Sequence, residues 1–202
     1  MEFIAHRINK KEELKQLPQT YGVEIDLRDD FNGRIYMEHD PFKQGEDFED
    51  YLKHYSHGIM ILNIKSERIE RKALELLAKY GVKKYFFLDS SFPMIYLLSG
   101  QGEKNIALRY SEFEGMDTIR NMQGMVEWIW VDCFTDFPLQ KKQSDEFHKM
   151  GFKICIVSPE LQGQPEKISV YAKRILADEM AIDAICTKVY QIDLWKKYLN
   201  IG

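Results

Sequence analysis

The stretch Val23-Glu24-Ile25-Asp26-Leu27-Arg28 alternates without a break. Val23, Ile25 and Leu27 share one face of an extended chain, and Glu24, Asp26 and Arg28 share the other. One face is fit to pack on helices, while the other carries two carboxylates two residues apart. If that charged face points inward, the carboxylates repel each other and lose hydration, which calls for a bound cation or a positive partner. Paired oxygen donors of this kind suit Mg²⁺ or Ca²⁺. Taken alone, the same alternation also fits a solvated edge strand with its acids paired to Arg28 or Arg7.

Working outward, strand-like runs recur at Phe3–Arg7, Gly22–Arg28, Gly58–Lys65, Lys84–Asp89, Asn105–Tyr110, Glu127–Phe134, Phe152–Ser158 and Ala181–Lys188, each short and rich in Ile, Val, Phe or Tyr. Segments of helical period separate them. In Ser66–Tyr80, Ile69, Ala73, Leu76 and Leu77 recur at helical spacing and Gly81 can end the helix. From Glu166 to Glu179, Ile168, Tyr171, Ala172, Ile175 and Leu176 line one side. Strands alternating with helices predict parallel pairing with crossover connections, and the closed form of that pattern is an α/β fold of the (β/α)8 barrel type. An open doubly wound sheet is the rival, but no Gly-rich loop follows a strand to support it. At 202 residues the barrel is a short one, read as one domain over 1–202. A single excursion breaks the alternation. Asp29–Gly33 reads as a polar turn, and a short extra strand, Arg34–His39, follows strand 2 before the chain returns to helix near Glu46.

Composition narrows the functional classes. Lys and Arg total 28 against 32 Asp and Glu, a net charge of −4, so nucleic acid and anionic lipid are not general partners. Any phosphate binding must come from a local cluster of cations. Cys133, Cys155 and Cys186 lie in apolar runs and read as reduced core residues of a cytoplasmic protein. The start, Met1-Glu2-Phe3-Ile4-Ala5-His6-Arg7, carries charge at once and does not read as a signal peptide. No run reaches the length of a membrane span.

The residues at strand ends carry the chemistry. His6 and Arg7 close the first strand, and His39-Asp40 closes the excursion. Each histidine alone is equally a structural residue. Together they bring two imidazoles, two carboxylates and a guanidinium to the carboxyl ends of the first strands, where barrel enzymes hold their sites. Two imidazoles can work as an acid and base pair, and a guanidinium grips phosphate oxygens through paired hydrogen bonds. In Ile61-Leu62-Asn63-Ile64-Lys65, Asn63 and Lys65 share a face, so Lys65 can add a second positive charge. On the sixth strand, Trp130 and Asp132 approach the mouth, where an indole can stack on a sugar or glycerol unit and a carboxylate can bond a hydroxyl. Glu160, after the seventh strand, can contact substrate or start a helix.

Ile4-Ala5-His6-Arg7, Glu24-Ile25-Asp26 and His39-Asp40, in that order, resemble the opening pattern of the glycerophosphodiester phosphodiesterase family, within the phospholipase C-like barrels. Weaker likenesses follow at Leu62-Asn63-Ile64-Lys65, at Asp89-Ser90-Ser91-Phe92 and at Ile182–Thr187. The resemblance implies His6 and His39 as general acid and base. It also implies Glu24 and Asp26 as ligands of one divalent cation, Mg²⁺ or Ca²⁺, with Asn63 in the place of a third metal carboxylate. Arg7 and Lys65 would hold the phosphate, and a neighbouring substrate hydroxyl would act as nucleophile. The implied substrate is a small phosphodiester of the glycerophosphodiester or sugar-phosphate kind. Two departures mark a divergent subgroup: Asn63 brings no charge, and a Thr-Asp near the end of the pattern is Thr187-Lys188 here. They keep a second reading in view, a retired barrel that binds a phosphorylated ligand.

Overall fold

The computed structural model describes residues 1–201. Its strands are β1 (Glu2–Ala5), β2 (Gly22–Asp29), β3 (Ile35–Met37), β4 (Glu46–Asp47), β5 (Met60–Ile64), β6 (Tyr85–Leu88), β7 (Ala107–Tyr110), β8 (Trp128–Val131), β9 (Lys153–Val157) and β10 (Ala184–Thr187). Its helices are α1 (Lys11–Gln16), α2 (Phe48–Leu52), α3 (Glu70–Lys79), α4 (Phe92–Gly100), α5 (Met116–Asn121), α6 (Lys141–Lys149), α7 (Ile168–Ala177) and α8 (Ile192–Leu199). The parallel ladders run β7-β8-β9-β10-β1-β2-β5-β6, so the sheet curls. Its two outer strands meet at one isolated parallel bridge, Phe87 to Ile106, where the Phe87 N–H donates to the Asn105 carbonyl at 2.9 Å. This is a mixed α/β, barrel-like architecture with a thin seam between β6 and β7.

The alternation in β2 does what its pattern requires. Val23, Ile25 and Leu27 are fully buried in the layer between the sheet and its helices, together with Ala73 and Leu77 of α3 and Ile168, Tyr171, Ala172 and Ile175 of α7. Leu176, expected on the buried side of α7, is 42% exposed. A second apolar cluster fills the inside of the curl and includes Ile4, Ile61, Phe86, Trp128, Trp130, Cys155 and Cys186. Phe86 stacks on Trp128 with ring centroids 4.5 Å apart. All three cysteines are buried free thiols, and burial raises the pKa of each.

The excursion is a three-residue strand, β3, shorter than Arg34–His39. It lies antiparallel to the upper half of β2, with Leu27 opposite Met37 and Asp29 opposite Ile35. β1 pairs with the lower half of β2, Ile4 opposite Gly22 and Ala5 opposite Val23. β3 therefore takes up the edge of β2 that β1 leaves, beside His6 and Arg7. The expected return to helix near Glu46 is first a two-residue strand, β4, which pairs with β3 before α2 begins.

Candidate active site

Glu24 and Asp26 are the most deeply buried acids of the curl, at 1% and 0% exposure. Every oxygen of the pair meets a donor or a cation. The Asn63 amide donates to Glu24 Oε1 at 2.8 Å and to Asp26 Oδ1 at 3.3 Å. The Arg7 backbone N–H donates to Glu24 Oε2 at 2.8 Å. Asn9 brackets Asp26, donating to Oδ2 at 2.9 Å and accepting from the Asp26 N–H at 2.9 Å. Lys65 Nζ lies 3.7 Å from Asp26 Oδ1, and Arg7 Nε lies 3.8 Å from Oδ2. Burial, and then repulsion from Asp26, raise the Glu24 pKa to about 7, against the pull of Asn63, the Arg7 N–H and Lys65.

His6 follows β1 directly. Its Nε2 is 3.8 Å from Glu24 Oε2, and its buried Nδ1 has no partner. Burial, then the charges of Lys188, Arg7, His39 and Lys65, hold its pKa down at about 3, so the imidazole is neutral near pH 7. Arg7 takes φ 57, a left-handed conformation that a side chain seldom adopts and that is found where function fixes the backbone. That turn aims the Arg7 N–H at Glu24 and ends the ladder earlier than the sequence pattern suggests.

The cavity above these groups is lined by His6, Arg7, Glu24, Asn63, Lys65, Asp89, Arg109, Trp130, Asp132, Glu160, Gln162 and Lys188, with Phe134 at its edge. Its volume is about 340 Å³. His39 is not among the lining residues. It is 38% exposed, with Nδ1 2.8 Å from Asp40 Oδ1, and its carbonyl accepts from Arg28 at 2.8 Å. Its charge nevertheless reaches His6. Lys43 and then His39 pull the Asp40 pKa down to about 2.

Trp130, Asp132 and Glu160 all reach the cavity, with their polar atoms engaged. Trp130 Nε1 donates to Asp132 Oδ2 at 3.1 Å, and Arg109 pairs with that same oxygen. Arg109 also grips Asp89 at 2.7 and 2.9 Å. Glu160 accepts from Thr187 Oγ1 at 2.5 Å, from the Lys188 N–H at 3.0 Å and from Ser158. It braces the carboxyl end of β10 against the loop after β9. Three groups at the site escape the motif reading, Asn9, Gln162 and Lys188, of which only Lys188 left a trace, as the Thr187-Lys188 departure. Asp89 falls in the weaker likeness Asp89-Ser90-Ser91-Phe92, without a role.

A divalent cation has a credible seat here. Among the described residues no three His, Cys, Asp or Glu side chains converge as a metal-holding group. The third donor is an amide: Asn63 Oδ1 is buried and without a partner. A half-turn of that amide would turn Oδ1 toward both carboxylates and give three oxygen donors, two of them charged, which suits a hard divalent ion. Such an ion would also relieve the repulsion that raises Glu24.

No protein-family model matches the sequence. No curated protein matches it. Solved structures do. A glycerophosphodiester phosphodiesterase from Agrobacterium tumefaciens str. C58 superposes with a TM-score of 0.65 over 92% of this chain and 96% of that one, at 15% identity. A glycerophosphoryl diester phosphodiesterase from Parabacteroides distasonis ATCC 8503 gives 0.70 over 98% of this chain and 86% of its own, at 14% identity. The likeness is one of fold. It spans nearly the whole chain. Of the motifs that suggested that family from sequence, His6-Arg7 follows the end of β1 and His39-Asp40 follows β3, while Glu24-Ile25-Asp26 lies within β2.

Proposed function

We propose that the chain is a divergent glycerophosphodiester phosphodiesterase-like enzyme: a short single-domain (β/α)8 barrel, closed at the Phe87–Ile106 bridge, that cleaves a small phosphodiester with the help of a divalent cation. One observation carries this reading. His6, Glu24 and three cations (Arg7, Lys65 and Lys188) line one cavity, with the buried Asp26 within 3.8 Å of Arg7 and 3.7 Å of Lys65. A phosphodiester carries one negative charge, and three cations set beside a Glu24 carboxyl that burial pushes up to about 7 favour such an anion.

In this mechanism Arg7, Lys65 and Lys188 bind the phosphate oxygens and orient the phosphorus over His6. His6, whose pKa burial and the surrounding cations hold low in the free protein, accepts the proton of the attacking hydroxyl once the charge of the bound phosphate offsets those cations. His39, held by Asp40, delivers a proton to the leaving alcohol oxygen, which requires it to swing toward the cavity once substrate is bound. Trp130 offers an indole face to the glycerol or sugar unit, while Asp132 and Glu160 keep Arg109 and the end of β10 in place. Glu24, Asp26 and Asn63 would hold the divalent ion, Mg²⁺ or Ca²⁺, which supplies charge neutralisation and lowers the pKa of the attacking hydroxyl. A hydroxyl adjacent to the phosphate would displace the leaving group and yield a cyclic phosphate.

The test is turnover of a panel of glycerophosphodiesters and sugar-phosphate diesters by purified protein with Mg²⁺, Ca²⁺ or Mn²⁺. His6→Ala should lower kcat/KM by about a hundredfold or more, with His39→Gln close behind. Wild-type rates equal to those of His6→Ala across the panel would overturn the reading. Asn63 favours a second reading, a retired barrel that binds a phosphorylated ligand, and tight phosphate binding without turnover would select it.

A further inference from the structure

The chain has twelve phenylalanines, and seven of them are buried or nearly so. The five exposed ones, Phe31, Phe42, Phe92, Phe113 and Phe134, share a location. Phe31 is at the tip of the β2–β3 turn, and Phe42 lies three residues beyond His39. Phe92, Phe113 and Phe134 follow the carboxyl ends of β6, β7 and β8, and exposed Val189 and Tyr190 follow that of β10. Each therefore lies in a connection, or for Phe92 at the first residue of α4, on the face where the cavity opens. Other large apolar residues are exposed singly elsewhere, Met1 before β1, Tyr96 and Leu97 on α4, Val170 and Leu176 on α7 and Ile201 at the end, and such scatter is ordinary, but the gathering of all five exposed phenylalanines around one opening marks an interaction surface.

We propose that this face docks on a lipid layer, with Phe31, Phe42, Phe92, Phe113 and Tyr190 inserted among the lipids so that a lipid-borne phosphodiester enters the cavity from the membrane side. The inference rests on the phosphodiesterase reading for the identity of that substrate, and on the exposed rings for the docking itself. Several points favour lipid over another protein. The rings stand on separate loops around an opening, Phe113 and Phe134 being 6.2 Å apart across one edge of it. A protein seated on all of them would seal the cavity, whereas a lipid layer both covers the rings and supplies the diester. Phe31 and Phe42 are almost wholly exposed, a state that burying the ring in acyl chains relieves. The flanking charges are mixed: Glu112 and Glu114 surround Phe113, Lys43 follows Phe42, and Lys188 precedes Tyr190. Apolar insertion must therefore drive the docking, and anionic lipid should be dispensable.

Sedimentation with phosphatidylcholine vesicles tests this directly. Wild-type protein should pellet with them, about equally at low and high salt. The triple variant Phe31→Ser, Phe113→Ser, Tyr190→Ser should partition about tenfold or more weakly, and its turnover of a soluble diester should stay at the wild-type level. Wild-type protein that remains in the supernatant as the variant does would overturn the proposal. So would a concentration-dependent dimer that forms in wild type and is lost in the triple variant, because the rings would then serve a second copy of the chain. Partition is read without turnover. Vesicle binding with no cleavage of any diester leaves the docking face standing and removes the catalytic reading, whereas cleavage of soluble diesters with no vesicle binding does the reverse.

Discussion

His6 and Glu24 sit 3.8 Å apart and have their pKa values displaced in opposite directions, His6 down to about 3 and Glu24 up to about 7. Their effects on stability have opposite signs. Between pH 6.5 and 3 an unfolded chain protonates its histidine while the folded chain does not, so stability from His6 is present above pH 6.5 and lost as pH falls through that window. Glu24 is protonated more readily when folded, so its contribution is full below its ordinary value near 4.5 and is lost as pH rises through 7. His6→Gln should therefore flatten the acid limb of the stability curve, retaining roughly 1–4 kcal/mol more of its neutral-pH stability at low pH than wild type does. Thermal melts of both proteins across that range check this. Glu24 also ties metal to protons. Calorimetry at pH 6 and pH 8 should show Mg²⁺ or Ca²⁺ binding release close to one proton at the lower pH and close to none at the higher. Asn63→Asp should tighten the ion about tenfold, since it restores a charged oxygen to the set.

At the scale of elements, the site depends on a strand of three residues. β3 is pinned by Arg28, which donates to the carbonyls of Glu38 at 3.1 Å, His39 at 2.8 Å and Lys65 at 3.2 Å. Lysine cannot hold three carbonyls in a planar fork. Arg28→Lys should cost about 1–2 kcal/mol and lower kcat more than it weakens inorganic phosphate binding, because Arg7 and Lys188 make no bond to Arg28 and Lys65 loses only the one to its carbonyl. Steady-state kinetics beside phosphate titration separates the two effects. Gly45 is a sharper probe of the same element. A Cβ there would lie 2.0 Å from the Met37 carbonyl oxygen, so Gly45→Ala must push β4 off β3. Much of this organisation was legible in the chain. Alternation fixed the faces of β2 because each face meets a different medium, and the parallel pairing of the strands followed from their alternation with helices. Strand ends were read too long at His6-Arg7, Lys65 and Lys188 because those residues leave the ladder to line the cavity, Arg7 with φ 57. β4 is two residues long and carries no period to detect. Asn9 escaped notice because it lies in a loop, and its bracket on Asp26 spans 17 residues of sequence.

For the molecule as a whole, the weakest join is the seam between β6 and β7, where an isolated bridge stands in for a ladder. Side chains reinforce it at three heights. Near the amino ends of the strands, Tyr85 donates to Glu103 at 2.8 Å. In the interior, Phe86 reaches past β7 to stack on Trp128. At the mouth, Arg109 of β7 holds Asp89 at the end of β6 and Asp132 at the end of β8. Asp89 itself takes φ 60 to meet that guanidinium. Burial wins at Asp132 and raises its pKa, whereas pairing with Asp132 and Asp89 wins over burial at Arg109 and raises the guanidinium further. Removing Arg109 would leave two acids facing each other with little water, a loss on the order of 2 kcal/mol after allowance for the partial exposure of the site. Local opening should begin at this seam, since stability is not uniform and a single bridge protects few amides. Hydrogen exchange should therefore find the Phe87 amide less protected than the Val23 and Met60 amides, which belong to full ladders. Arg109→Ala should speed exchange at Phe87 far more than at Val23. Equal protection at Phe87 and Val23 in wild type, or equal acceleration in the variant, would mean that the curl opens as one cooperative unit and that the join is as strong as any other.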